Sequence, residues 1–198
     1  MLIGFIFIFL DVNLGRINIF PDIVGYAIVF GGALKLFSHF NNKRFVNVKI
    51  ASLMMIFLTG LDLFIRHSKV LNNVINSSAQ LSGRIFSVLY LMVTLSLLAY
   101  CIYHLCKAIG EEAHRIGDKQ FVGKADHTWH VYCIFQVVFF IFASMGPLIG
   151  ESRSDSLTFG GVRALIIFIP MGIYLAYLLF QLSSLLIQAE RIFSDERQ

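Results

Sequence analysis

Charge is what this chain has least of. Of its 198 residues, 14% are Asp, Glu, Lys or Arg and 57% are hydrophobic, whereas soluble domains carry about a quarter charged residues and under half apolar ones. A soluble core of this size cannot hide so much apolar surface. The three cysteines, Cys101, Cys106 and Cys133, show no Cys-x-x-Cys spacing, so neither a disulfide framework nor a zinc site is indicated. No polar stretch is long enough to fold separately, and a single domain over residues 1–198 is expected. The net charge of +4 comes from lysines and arginines scattered over loops rather than gathered in a stripe, which argues against a nucleic-acid partner. There is no His-Glu-x-x-His, Gly-x-Ser-x-Gly, P-loop or dinucleotide fingerprint. The sequence therefore leans away from an enzyme, with no catalytic residue and no cofactor expected.

What is present is a series of apolar runs with the charges at their edges: Ile23–Phe37, Phe45–Ile65, Ile85–Cys106, Trp129–Ile149 and Val162–Ile187, preceded by the shorter Leu2–Leu10. Runs of this length suit a hydrocarbon core about 30 Å thick. The expectation is an all-α integral membrane protein, a bundle of about six transmembrane helices over residues 1–10, 21–40, 45–65, 84–109, 127–149 and 160–187, with a tail at 188–198. Pro21 and Asp22 suit the first turn of the second helix. The first run rises only about 14 Å as a helix; it either crosses with help from its flanks or lies in the interface, which leaves five spans. No basic residue precedes it and no small-x-small cleavage site follows, so it reads as retained rather than as a signal peptide.

Alternate loops differ in basic charge. One side carries ten Lys and Arg, among them Lys43, Arg44, Lys107, Arg115, Lys119 and Lys124, and the other carries six, including Arg66, Lys69, Arg84 and Arg153. The richer side should be cytoplasmic, with both termini inside and the loops 66–84 and 150–160 outside. Residues 107–126 read as a connection of mixed charge, its first part continuing the preceding helix despite Gly110 and Gly117. A charged tail begins at Glu190. Ala27 and Gly31 offer a small-xxx-small pair for close helix approach. Pro170 should kink the last helix and Pro147 mark the end of the one before it, while Tyr26, Trp129 and Tyr132 suit membrane interfaces.

Between the first two runs, Val12, Leu14, Ile17 and Ile19 are symmetric about Gly15-Arg16. A two-residue Gly-X turn pairs Leu14 with Ile17, Asn13 with Asn18 and Val12 with Ile19, putting the aliphatics on one face. A small β-hairpin over 11–20 is one reading of the segment and an irregular loop the other.

Two groups of residues are candidates for chemistry. Asp11, Asp22, Asp62, Arg66 and Arg84 stand at the outer ends of separate runs and would meet at one depth in a bundle. As ligand-binding residues they would line a polar vestibule for a small polar solute or ion. As interface charges they would snorkel or pair, and for Asp22 the helix dipole suffices. Asp11 and Asp62 have no stem to snorkel with. The second group is His127 and His130, one turn apart, with Cys133 beyond and His104 within reach from another run. A metal needs three or four converging ligands, so these are weak candidates beside the plainer reading of interfacial histidines flanking a tryptophan.

The segment Leu10-Asp11-Val12-Asn13 … Phe20-Pro21-Asp22-Ile23-Val24-Gly25-Tyr26 resembles the opening of a group of uncharacterised small polytopic membrane proteins from Gram-positive bacteria. Those proteins have a short apolar run, a glycine turn and a Leu-Pro-Asp-Phe-Ile-Gly-Tyr motif that opens the next helix. Here Phe20 replaces the leucine, Ile23 the phenylalanine and Val24 the isoleucine. The resemblance covers about 30 residues and implies no activity; it implies a bacterial cell membrane, and that Asp11, Pro21, Asp22, Gly25 and Tyr26 form one structural unit. Two functions follow as expectations. One is binding or passage of a small polar solute or ion through the outer polar cluster. The other is a non-transporting subunit or sensor that contacts a membrane-protein partner, or a second copy, through residues 107–126 and the tail.

Overall fold

The computed structural model of the chain describes residues 1–9, 13–14, 17–18, 22–67, 81–149 and 162–195, with side chains over 1–9, 22–64, 85–86, 88–144 and 169–190. These residues form six helices: α1 (Leu2–Phe9), α2 (Asp22–Phe40), α3 (Lys43–His67), α4 (Leu81–Arg115), α5 (Lys119–Ile149) and α6 (Val162–Asp195). Between α1 and α2, β1 (Asn13–Leu14) pairs antiparallel with β2 (Ile17–Asn18). Its register, Asn13↔Asn18 and Leu14↔Ile17, is the one a Gly-X turn dictates; the Val12–Ile19 pair lies outside the described residues.

Helices α2 to α6 are each long and apolar enough to cross a membrane. The eight residues of α1 rise about 12 Å, too little to cross alone. Instead α1 runs antiparallel along α2: Gly4 lies against Gly25 and Val29, Ile8 against Gly25, and Met1 against Gly32. Gly25, Tyr26, Val29 and Ala33 form the buried face of α2, at the spacing of one helical stripe. Ala27, by contrast, is exposed, and a side chain at Gly31 would meet open space. The expected Ala27–Gly31 approach is thus replaced by a crossing at Gly25 and Val29, on the opposite face of α2.

The helices α2, α3, α4 and α5 pack in chain order, each extensively against the next, whereas α6 meets α5 sparsely and touches the edge of α1. Phe45, Val48, Ala51 and Met55 of α3 face Leu98, Ile102, Leu105 and Ile109 of α4 in one apolar core. Tyr26 and Tyr132, expected at interfaces, are 3% and 2% exposed and sit inside this core. An aromatic ring buries a large apolar body, and both stand on helix faces turned inward. Trp129 is partly buried and packs on Tyr103 and Tyr132, with ring centroids 5.1 and 6.0 Å apart.

The exposed large hydrophobics mark where lipid would lie. They occupy Ile50–Phe64 on α3, Ile85–Tyr100 on α4, Ile134–Phe142 on α5 and Ile169–Phe180 on α6. Beyond this belt α4 and α5 continue as a packed helical hairpin in which Ala108, Ile109 and Ala113 close on Phe121 and Ala125. The segment 107–126, expected to be a connection, is therefore mostly helix, and only 116–118 turn. Gly110 lies on the face turned to α5, where a side chain would begin 3.7 Å from Ala125, an ordinary contact distance. The tail is likewise helical, α6 reaching Asp195.

Candidate functional site

The polar end of this bundle is built by two tight turns. Asn41, in the left-handed region at φ 50°, closes α2 as its amide donates to the Phe37 carbonyl (2.8 Å). Asn42 then caps α3, its Oδ1 accepting the Arg44 amide at 2.9 Å, the usual role of an asparagine at a helix start. Gly117, at φ 80°, ends α4 with a bond from its amide to the His114 carbonyl and another from the Asp118 amide to the Ala113 carbonyl, each 3.1 Å. This is the Schellman closure that favours glycine. Asp118 caps α5 through the Phe121 amide at 3.0 Å.

The two turns meet through Asn42. Its side-chain amide donates to Glu111 Oε2 (3.2 Å) and Glu112 Oε1 (3.0 Å). Arg44 Nε lies 2.5 Å from Glu111 Oε1, and Arg115 Nη1 lies 2.8 Å from Glu112 Oε2. Glu112 is 5% exposed, a carboxylate taken out of water and held by an amide and a guanidinium. A hollow of about 740 Å³ opens over this network, bordered also by Lys43, Asn47 and His114. One helical turn lower, Asn47 approaches His104 Nδ1 at 3.3 Å. Lys107 joins α4 to α5 through Asp126 at 2.9 Å. None of the partners Asn42, Glu111 and Glu112 stood out in the sequence. The only signal was Glu-Glu at 111–112 inside a stretch whose helical face could be extrapolated, and the turn that faces it is distant in the chain.

The expected outer cluster is described only in part. Asp22 opens α2, and Asp62 lies near the end of α3. Gly60 and Ile23 are in contact, the Ile23 Cδ1 lying 3.7 Å from where a Gly60 side chain would begin, so the ends of α2 and α3 that carry the two aspartates share one level. Asp11 and the side chains of Arg66 and Arg84 lie outside the described residues. Of the histidines, His127 faces α6, with Nε2 3.4 Å from the Tyr177 hydroxyl. His130 turns to its own helix, Nδ1 lying 2.7 Å from the Asp126 carbonyl. Among the described residues, no group of three or more His, Cys, Asp or Glu is placed to hold a metal ion.

The described buried polar groups are mostly turned onto their own helices. Apart from the phenols of Tyr26 and Tyr132 and the thiols of Cys101 and Cys106, they are Ser52, Glu112, Thr128 and Ser144, together with the Oδ1 atom of Asp22. Ser52 donates to the Val48 carbonyl (2.8 Å), Thr128 to Lys124 (2.8 Å) and Ser144 to Ile141 (3.0 Å).

Fold and site together fit a helical, multi-pass membrane protein with an apolar belt, and the most elaborate polar structure among the described residues lies at one end of the bundle. No family model, curated protein or solved structure matches the chain.

Proposed function

We propose that this is a multi-pass protein of the bacterial plasma membrane, with both ends in the cytoplasm, that acts through protein contacts as a membrane subunit or sensor. The observation that carries this reading is the contrast between belt and end. In and beside the belt Ser52, Thr59, Thr94 and Ser144 donate to carbonyls of their own helices, so their protons are turned onto the backbone. At the charged end, four helix termini are fixed by caps and ion pairs into a packed surface that presents Lys43, His114 and Lys119, all exposed. A rigid surface loses little conformational entropy when a partner binds. Photo-crosslinking residues placed at Lys43, His114 and Lys119 test this in growing cells. Each should give a covalent adduct of one discrete size, those from the Lys43 and His114 positions being lost on Lys119→Glu, while the same residue at Met54 or Val93 in the apolar belt gives none. Absence of adducts at all three positions overturns the reading.

The second reading is that Asp11, Asp22, Asp62, Arg66 and Arg84 bind or pass a small polar solute or ion. It is favoured by the shared level of Asp22 and Asp62, reached through the Gly60–Ile23 contact. Flux measurements on proteoliposomes decide it: a solute or ion flux abolished by Asp22→Asn and by Asp62→Asn supports this reading, and none above empty liposomes removes it.

A further inference from the structure

The sparse contact between α5 and α6 has an unusual composition. On α6, Tyr177, Gln181, Ser184 and Gln188 recur at i, i+4, i+7 and i+11, which places them on one helix face. On α5, Lys124, His127, Ile134 and Val138 follow a similar stripe. The polar members meet across the seam. Lys124 Nζ donates to Ser184 Oγ at 2.6 Å and to Gln188 Oε1 at 2.7 Å. His127 Nε2 lies 3.4 Å from the Tyr177 hydroxyl, and that hydroxyl accepts from Gln181 Nε2 at 2.9 Å.

Further along the same stripes the seam turns apolar. A groove of about 300 Å³ runs between Ile134, Val138 and Phe142 on α5 and Pro170 and Met171 on α6. Its floor is the parallel stack of Phe135 on Tyr174, with centroids 5.9 Å apart and planes within 4°. The Tyr174 hydroxyl is bonded to the Val131 carbonyl at 3.0 Å, so the floor is fixed. Pro170 has no amide proton to give and stands inside α6, which keeps a bulky turn at the groove's far end.

We propose that the α5/α6 seam binds one anionic phospholipid, its phosphate on Lys124, His127 and Ser184 and one acyl chain in the apolar groove. The charge fits. An ammonium has three protons, and the two bonds of Lys124 leave it one. The Ser184 oxygen accepts from Lys124, so its own proton is available to donate. The neighbouring carboxylate Asp126 is committed elsewhere, to Lys107 of α4. Basic pockets between transmembrane helices are sites where anionic headgroups settle. The depth fits as well. From Lys124 to Ile134, where the groove begins, α5 rises about 15 Å, and to Val138 about 21 Å; one leaflet with its headgroup layer is about 20–22 Å, so an acyl chain anchored at Lys124 occupies the half of the groove between these two residues. A soluble phosphate would use the polar cluster and leave the groove idle, which is why a lipid is the occupant.

The inference rests on the membrane-spanning reading and is independent of the docking surface at the charged end, which the crosslinking test addresses separately. Native mass spectrometry of the full chain in neutral detergent, titrated with phosphatidylglycerol or phosphatidylcholine of identical acyl chains, reads it out. Wild type should bind the first about tenfold more tightly than the second. Lys124→Gln should erase that preference and Lys124→Arg should keep it. Val138→Trp, which fills the groove and touches no polar member, should weaken phosphatidylglycerol binding severalfold. Millimolar glycerol 3-phosphate should not compete. Equal binding of the two lipids, a preference that survives Lys124→Gln, or unchanged binding by Val138→Trp overturns the proposal. So does competition by glycerol 3-phosphate, which would make the ligand a soluble phosphate, or a dimer that excludes lipid, which would make the occupant a second copy.

Discussion

Gly4 and Gly25 meet backbone to backbone: a side chain begun on Gly4 would stand 2.6 Å from the Gly25 carbonyl oxygen, and one begun on Gly25 would stand 2.7 Å from the Gly4 carbonyl oxygen. The crossing is reciprocal, so neither helix can yield without moving the other. Because the obstacle is backbone, a methyl group cannot be absorbed by a rotamer change. Overpacking of this kind costs about 1–3 kcal/mol. Gly4→Ala and Gly25→Ala should each lower the Tm of the detergent-solubilised protein and release α1 from α2. Gly31→Ala should not, since a side chain there meets open space, and helix propensity favours alanine by about 1 kcal/mol. Equal melting of Gly25→Ala and Gly31→Ala would remove the crossing from the account.

The two short turns at the charged end make a different demand. Asn41 and Gly117 both have positive φ, at 50° and 80°, a region that costs residues with a β-branch most. Asn41→Gly should be nearly neutral, whereas Asn41→Val should destabilise by about 1–2 kcal/mol. Gly117→Ala should cost about 1 kcal/mol by the same reasoning. Thermal unfolding of the three variants in one detergent gives the order, and an Asn41→Val protein as stable as Asn41→Gly would contradict it.

These positions show what the chain reveals without coordinates and what it conceals. The runs Phe45–Ile65, Ile85–Cys106 and Trp129–Ile149 became helices because hydrophobicity over that length leaves the backbone no other way to satisfy its hydrogen bonds in lipid. The register of β1 and β2 followed from Gly15-Arg16 because a two-residue turn leaves one pairing. Partner choice among glycines was not legible: Ala27 and Gly31 obey the same spacing rule as a true contact, and only the direction in which α1 folds back selects Gly25. The continuation of α4 beyond Lys107 was legible, whereas the start of α5 at Lys119 was hidden by charge, since Lys119, Lys124 and Asp126 face outward or pair while Phe121 and Ala125 between them pack. The network around Asn42 joins residues 69 and 70 positions apart, a separation at which composition and spacing carry no information. Of the expected outer site, the level shared by Asp22 and Asp62 could be read from run boundaries alone.

Asn42 explains why an amide rather than a carboxylate caps α3. Aspartate would satisfy the Arg44 amide equally well as a cap, but two glutamates lie within 3.2 Å of the Asn42 amide nitrogen. Asn42→Asp places a third negative charge there and should lose more stability than a cap exchange accounts for. Its carboxyl would have a raised pKa in the folded protein, so the folded state is favoured below the ordinary carboxylate range and the deficit appears as pH rises through it. Glu112→Ala should cost about 1–3 kcal/mol, because Asn42 and Arg115 lose a buried partner. Glu111→Ala should cost under about 1 kcal/mol, since the Arg44–Glu111 side chains are 33% and 45% exposed and surface pairs contribute little. Unfolding curves at pH 4 and pH 7 separate the three variants, and a pH-independent Asn42→Asp would show that the glutamates are not its neighbours in solution.

Orientation rests on the excess of Lys and Arg on alternate loops, and labelling can decide it directly. The native thiols interfere little, because Cys101 and Cys106 are buried, but the variants are best made with all three cysteines replaced by serine or alanine. If the charged end is cytoplasmic, Lys43→Cys and Lys119→Cys, both at exposed positions, should resist a membrane-impermeant maleimide in intact cells and react once the membrane is opened. Gly15→Cys, Asn73→Cys and Ser154→Cys should react without opening. The position at Gly15 carries the most weight. Reaction there from outside, together with protection of a tag placed before Met1, requires residues 1–10 to cross, although α1 covers only eight of them; the shortfall of about 18 Å against a 30 Å core would then be met by the flanking chain or by local thinning. Protection of Gly15 alone would instead lay α1 along α2 within one leaflet, leaving five spans and moving the N-terminus to the same side as Asn73. Reaction of Lys43→Cys and Lys119→Cys in intact cells would invert the whole assignment and, with it, the side on which a docking partner must be sought.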